Sequence, residues 1–194
     1  ICIPTTAGSG SEMTGASVIS DEKKGVKVSV THEYLIPRLA ILDPDLQLDT
    51  PQFITATTGM DALTHAIESY VSLNAEPMSD ALGLHAIRLI GANLRKAIVD
   101  GQDVEARGNM AVASSMAAVA FANGGLGVIH GIAQSMGAIA HVPHGVANGL
   151  ILPYGMRVNA KGNLGKFADI ASALGVDVAG LTAEAAADKA IDAV

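Results

Sequence analysis

The sequence has no tryptophan and only 3% aromatic residues, so its core must be built from Ala, Ile, Leu, Val and Met. A single cysteine, Cys2, excludes an internal disulfide and suits a reducing cytoplasm. Positive charge is scarce, because 12 Lys and Arg against 19 Asp and Glu leave a net charge of −7. No basic face is available to neutralise phosphates, which argues against nucleic-acid binding. A mean hydropathy of +0.38 excludes a disordered chain. Residues 108–156 contain no Asp, Glu, Lys or Arg. A membrane helix needs about 20 strongly apolar residues. This span is instead rich in small residues, is broken by Asn123, Gly124 and Gly125, and carries His130, His141 and His144. It is expected to form buried, closely packed helices and not a membrane span. The chain opens at Ile1 without a targeting pattern, as one beginning in mid-fold would. Its 194 residues allow one domain plus a piece of another.

What is present divides at Pro51. Residues 1–4 read as the end of a strand and 5–11 as a small-residue loop. Runs at 16–20 and 26–30 read as β-strands joined by the polar turn 21–25, and 38–42 as a third apolar run stopped by Asp43 and Pro44. Beyond Pro51 the apolar period becomes helical. Met60, Leu63, Ile67, Tyr70 and Val71 share one face, and Ser79 precedes a second helix carrying Leu82, Ala86, Leu89, Asn93 and Ala97. Further helices are expected at 104–122, around 130–136, from 146 onward, at 163–174 and from 182 to the end. Gly101, Gly137, Gly162 and Gly175 are expected at helix ends. The organisation is a β-rich segment followed by an all-helical unit.

Asp61 and His65 lie four residues apart, which stacks both side chains on one helical face about 6 Å apart. His130 and His144 lie in the uncharged span between glycine and apolar neighbours, where an unsatisfied imidazole would be costly. The residues alone leave two readings open: structural histidines satisfied by carbonyls or hydroxyls, or a divalent-cation site. His85 is expected at a core edge and His32 in a loop. Glu68 is expected as a solvated carboxylate, with orientation of the His65 ring as its alternative role.

Three segments occur in order: PTTAGSGSE at 4–12, GMDALTHAIE at 59–68, and His130-Gly131 followed by PHGVAN at 143–148. Together they resemble the iron-containing (group III) alcohol dehydrogenases over nearly the whole chain. The resemblance implies the dehydroquinate synthase-like fold of that family and a central fragment covering about half of a member. Within that α+β, mostly α fragment, residues 1–50 would be the carboxy-terminal part of an α/β nucleotide-binding domain. Residues 51–194 would be an incomplete all-helical metal-binding domain, with the active site in the cleft between the two. By the same resemblance Asp61, His65, His130 and His144 match the ligands of Fe(II), or of Zn(II), and these nitrogen and oxygen donors suit either ion. Thr5, Thr6, Ser9, Thr14, Lys27 and Leu46 match positions that contact NAD or NADP. The implied reaction is hydride transfer between NAD(P) and a small primary alcohol or aldehyde, the metal favouring the alkoxide. A missing amino-terminal half would expose apolar surface normally covered, so an oligomeric or aggregation-prone chain, taken as a homo-oligomer, is expected.

Two departures stand out. No Gly-x-Gly-x-x-Gly loop is present to hold a pyrophosphate. Gln134 occupies the position where many members carry a second histidine proposed to relay protons, and His141 is the nearby substitute to consider. A metal-dependent hydrolase and a catalytically incomplete helical module are the competing readings.

Overall fold

The change of period at Pro51 is a change of architecture. The computed structural model describes residues 1–21 and 23–194. Strands β1 (Ala16–Asp21) and β2 (Val26–Thr31) form an antiparallel hairpin in which Ala16 faces Thr31 and Asp21 faces Val26. In the connecting turn the Asp21 carboxylate accepts the backbone N–H groups of Lys23 and Lys24, and Gly25 takes a φ of 62°. Glu22, which the sequence places in the same turn, lies outside the described residues. Pleating sends Ala16, Val18, Ser20, Lys27 and Ser29 to the face that borders a cleft. Ile19, Val26, Val28 and Val30 fall on the opposite face and are exposed.

The other two expected strands do not form. Residues 1–4 and 38–42 meet only through one parallel bridge between Cys2 and Ala40. Cys2 N–H bonds the Leu39 carbonyl at 2.8 Å and Ile41 N–H bonds the Cys2 carbonyl at 3.0 Å. Parallel pairing is stable within sheets covered on both faces, and among the described residues no further strand flanks this pair.

Seven helices follow: α1 (Gln52–Val71), α2 (Pro77–Val99), α3 (Val104–Gly124), α4 (Val128–Ile139), α5 (His144–Ala160), α6 (Leu164–Ala173) and α7 (Ala183–Asp192). Local chemistry sets several of the ends. Helix α2 begins two residues before Ser79, because Glu76 and Ser79 form a reciprocal capping box with Pro77 inside it. Asp103 and Thr182 cap α3 and α7 through their side chains. Gly125, at φ 82°, terminates α3. Gly137 is not a helix end. It lies within α4, where a Cβ would stand 2.6 Å from Lys27 Nζ, so its bareness admits β2.

Ile67, Ile87, Ile90, Met110, Ile129, Leu152, Met156, Phe167 and Ile170 make the fully buried core. Ala113, Ala117, Ala118 and Ala120 have no exposure at all, so α3 is buried around most of its girth. Among the described residues no single helix is long and apolar enough to cross a membrane. Only α3 and α4 together have that composition, and they are bent by 105° at their junction.

Glycine also brings α5 onto α1. A Cβ on Gly145 would lie 2.1 Å from the Thr57 carbonyl oxygen, and one on Gly155 would lie 2.3 Å from Ile129 Cγ1. Gly165, by contrast, is an exposed residue in α6 with open space around it. Gly145→Ala is therefore expected to lower stability by about 2 kcal/mol, as overpacking against backbone does. Gly165→Ala is expected to raise it by about 0.5 kcal/mol through helix propensity. Thermal melts of the two variants beside the parent check the opposite signs.

Candidate metal centre

Helix α1 supplies Asp61 and His65 one turn apart, α4 supplies His130 from its first turn, and α5 supplies His144 as its first residue. The close approach at Gly145 sets the start of α5 against α1. All three imidazole Nε2 atoms then converge on one carboxylate oxygen. Asp61 Oδ1 stands 3.9 Å from His65, 3.5 Å from His130 and 3.6 Å from His144. Asp61, His65 and His130 are buried, and their ligand atoms all lie within 4.8 Å of one another.

The outer nitrogens decide which atoms face inward. His65 Nδ1 meets the Gly8 carbonyl at 3.3 Å, and His130 Nδ1 meets a Glu68 carboxylate oxygen at 2.6 Å. A carbonyl or carboxylate oxygen only accepts, so both Nδ1 atoms carry the proton and both Nε2 lone pairs point at the centre. The His65 ring is also held between Phe121 and His130, with both centroid separations at 4.5 Å.

The centre therefore holds more lone pairs than donors. Asn148, fully buried on α5, gives its amide N–H to Asp61 Oδ1 at 2.6 Å and lies 3.2 Å from the Nε2 atoms of His130 and His144. One NH₂ group has two protons and cannot satisfy the Asp61 carboxylate together with the Nε2 lone pairs of His65 and His130 and the neighbouring His144. Its own Oδ1, and His144 Nδ1, are buried with no partner among the described residues. A cation answers this surplus of acceptors, and the nitrogen and oxygen donors suit Fe(II) or Zn(II). The donor set fits a metal.

Electrostatics follow the same geometry. Burial works to raise the Asp61 carboxyl, but the surrounding imidazoles hold it down at about 2. Burial pushes His65 down to about 4 and also lowers His144, against the pull of Asp61 on both. For His130 burial is outweighed by the nearby Asp61 and Glu68 carboxylates, and its pKa is raised. Asp61 thus remains ionised at neutral pH, as a ligand must.

The cluster forms the floor of a cleft of about 730 Å³ between the helices and the hairpin, lined also by Ser9, Thr14, Lys27, Phe121 and Gln134. A family model described as the Fe-containing alcohol dehydrogenase family, C-terminal, matches residues 55–194. A second, the iron-containing alcohol dehydrogenase model, matches residues 1–44. The chain belongs to the iron-containing alcohol dehydrogenases. An NAD-dependent methanol dehydrogenase of Bacillus methanolicus is 45% identical over 194 residues, all of this chain and 51% of that protein. Lactaldehyde reductase of Escherichia coli K12 is 42% identical over all of this chain and 50% of its own length. A crystal structure of 1,3-propanediol oxidoreductase superposes with a TM-score of 0.95 at 44% identity, covering 98% of this chain and 50% of that one. The chain spans about half the length of the relatives it matches.

The fold brings the four expected ligands together, and Ser9, Thr14 and Lys27 line the same cleft. It does not bring Thr5, Thr6 or Leu46 to that cleft. The Thr5 carbonyl accepts from Thr50, Thr6 lines a small cavity beside Arg107, and Leu46 is exposed on a short 3-10 turn. Gln134 lines the cleft, whereas His141 is exposed at φ 53° and borders a separate cavity of about 420 Å³. His85 is exposed rather than at a core edge, and the His32 ring accepts the N–H of Tyr34 in a short turn. Glu68 is not solvated and does not orient His65. It is 1% exposed and bonded to His130. Sequence reasoning assigned no role to Asn148 or Phe121. Asn148 stands four residues after His144 on one helical face, a spacing too common on helices to single it out.

Asn148→Asp sets a second carboxylate against Asp61 where an N–H donor stood. The metal-free protein is expected to lose about 3 kcal/mol, comparable to breaking a buried pair. Millimolar Zn(II) or Mn(II) is expected to restore much of that loss. Melting curves with chelator and with each ion check both statements.

Proposed function

We propose that the protein is an NAD(P)-dependent, metal-requiring alcohol dehydrogenase that moves a hydride between the nicotinamide and a small primary alcohol or aldehyde. The observation that carries this reading is the convergence of three imidazole Nε2 atoms and one carboxylate in a cleft lined also by hydroxyls and one lysine. When bound, Fe(II) or Zn(II) supplies Lewis acidity toward an alcohol or carbonyl oxygen. The rest falls to this chain's residues. Asp61 and the histidines hold the ion, and Ser9, Thr14 and Lys27 face it from the side where the cofactor would lie. Phe121, Leu126 and Gly131 wall the substrate end without charge, which suits a neutral substrate. Gln134 hydrogen-bonds but does not exchange protons near neutral pH, so proton release passes through water or the substrate itself.

In the same proposal residues 1–50 close a nucleotide-binding domain and 51–194 form the helical metal-binding domain. The boundary is supported by the change of architecture at Pro51. A cytoplasmic homo-oligomer completes the reading. Its support is the exposed apolar outer face of the hairpin and the exposed Leu150, Tyr154 and Val158, spaced by four along α5. The named relatives are dehydrogenases and reductases, which favours hydride transfer over hydrolysis. A complete ligand set favours an enzyme over a helical module without a catalytic role.

The test is metal analysis of protein purified without oxygen, beside His130→Ala. About one equivalent of iron or zinc is expected in the parent and less than a tenth of that in the variant. NAD(P)-linked oxidation of short primary alcohols is expected to follow the metal. Absence of metal from both proteins would overturn the proposal.

A further inference from the structure

Glu68 is a buried carboxylate that binds neither the hairpin nor the cleft. It is 1% exposed, and every hydrogen bond the structure gives it goes to the start of α4. Oε1 accepts the N–H of Ile129 at 2.8 Å, while Oε2 accepts the N–H of His130 at 3.2 Å and its Nδ1–H at 2.6 Å. Helix α4 has no cap of its own, since Gly127 at the N-cap position offers no side chain. A Cβ on Gly127 would lie 2.7 Å from Glu68 Oε1. Glycine at this position therefore lets a carboxylate from α1 take the place of the missing cap. Two tasks meet in one group: it satisfies the first free N–H groups of α4, and it sets the tautomer and plane of the imidazole beside them.

We propose that Glu68 is a positioning residue, which docks α4 on α1 and presents His130 Nε2 to the metal through one carboxylate. This rests on the metal-centre reading above. Glu68 lies seven residues after Asp61 on α1, so one helix carries two direct ligands and the support of a third. The spacing between Asp61 and His130 is thereby set by one rigid element and one short ionic hydrogen bond.

Glu68→Gln separates the two tasks. The amide keeps one oxygen, enough for the Ile129 N–H, and sets an NH₂ beside His130 where the charge that holds the imidazole proton stood. Zn(II) alone is the probe, titrated against a chelator into metal-free protein. Affinity is expected to fall 10- to 100-fold, in the range that loss of such outer partners produces. The metal-free melting temperature is expected to shift by less than about 4 °C, a change of about 1 kcal/mol in a chain of this size. Long-range ¹H–¹⁵N spectra of the metal-free parent are expected to show His130 protonated at Nδ1, and the variant to show mixed tautomers. Zn(II) affinity within threefold of the parent would overturn the inference. So would a parent His130 protonated at Nε2 alone, a result that needs no variant to fold. A parent that binds no Zn(II) would instead overturn the metal-centre reading, with the tautomer comparison still deciding Glu68.

Discussion

The structure depends on one constraint: α1 carries Asp61, His65 and Glu68 along a single face into an alanine-rich interior where all three are almost fully buried. Buried charges without partners are expensive. Each of the three must therefore find a donor or acceptor on another element, and the elements must dock accordingly. Glu68 takes the start of α4, Asp61 takes Asn148 of α5, and His65 takes the Gly8 carbonyl of the loop before β1. Three neighbours of α1 are placed by three polar contacts. The apolar core supplies cohesion, and the polar ladder supplies register.

Small residues make that docking possible. A Cβ on Gly8 would lie 2.6 Å from Thr58 Cβ, one on Gly145 would lie 2.1 Å from the Thr57 carbonyl, and one on Gly127 would lie 2.7 Å from Glu68. These three glycines adjoin the three polar contacts along α1. They let backbones come close enough for short side chains to reach across. The near absence of aromatic residues in the core belongs to the same design, because bulky rings would hold the helices apart. Phe167 and Tyr70 are the buried aromatic residues, and the half-buried Phe121 stacks on the His65 ring.

Much of this is legible in the sequence, and the illegible part has a common cause. The helices show because their apolar period is local, and Asp61 with His65 shows because i, i+4 spacing is local. His130 and His144 show as imidazoles in an uncharged span, but their convergence is visible only through resemblance, since α4 and α5 must dock before they meet. Glu68 is the instructive case. Its spacing from His65 suggests that ring as its partner, whereas the docked fold gives it His130, 62 residues away. Asn148 carries no local signal strong enough to mark it, because its importance lies in the surplus of acceptors around it. The strands of 1–4 and 38–42 are missing for a related reason: strand pairing is a property of a whole sheet, and only one bridge of theirs is present.

The four candidate ligands are not held equally. His65 is clamped by two rings and a carbonyl, His130 by a carboxylate, and Asp61 by an amide, all on the bundle side. His144 has no partner for its Nδ1 among the described residues, and its side chain is 34% exposed. It stands at the first residue of α5, on the side that opens to the cleft. Three of the candidate ligands are thus held by partners within the bundle, and the fourth has fewer contacts on the side open to the cleft. A site built for strength alone would clamp all four. Under the proposed function, the less constrained His144 at the mouth would leave room for adjustment when an ion is held, while the side chains at the floor stay preorganised on rigid helices. The loop that supplies the Gly8 carbonyl also carries Ser9 into the cleft. The rigid floor and the wall facing it are therefore registered through a single bond to His65.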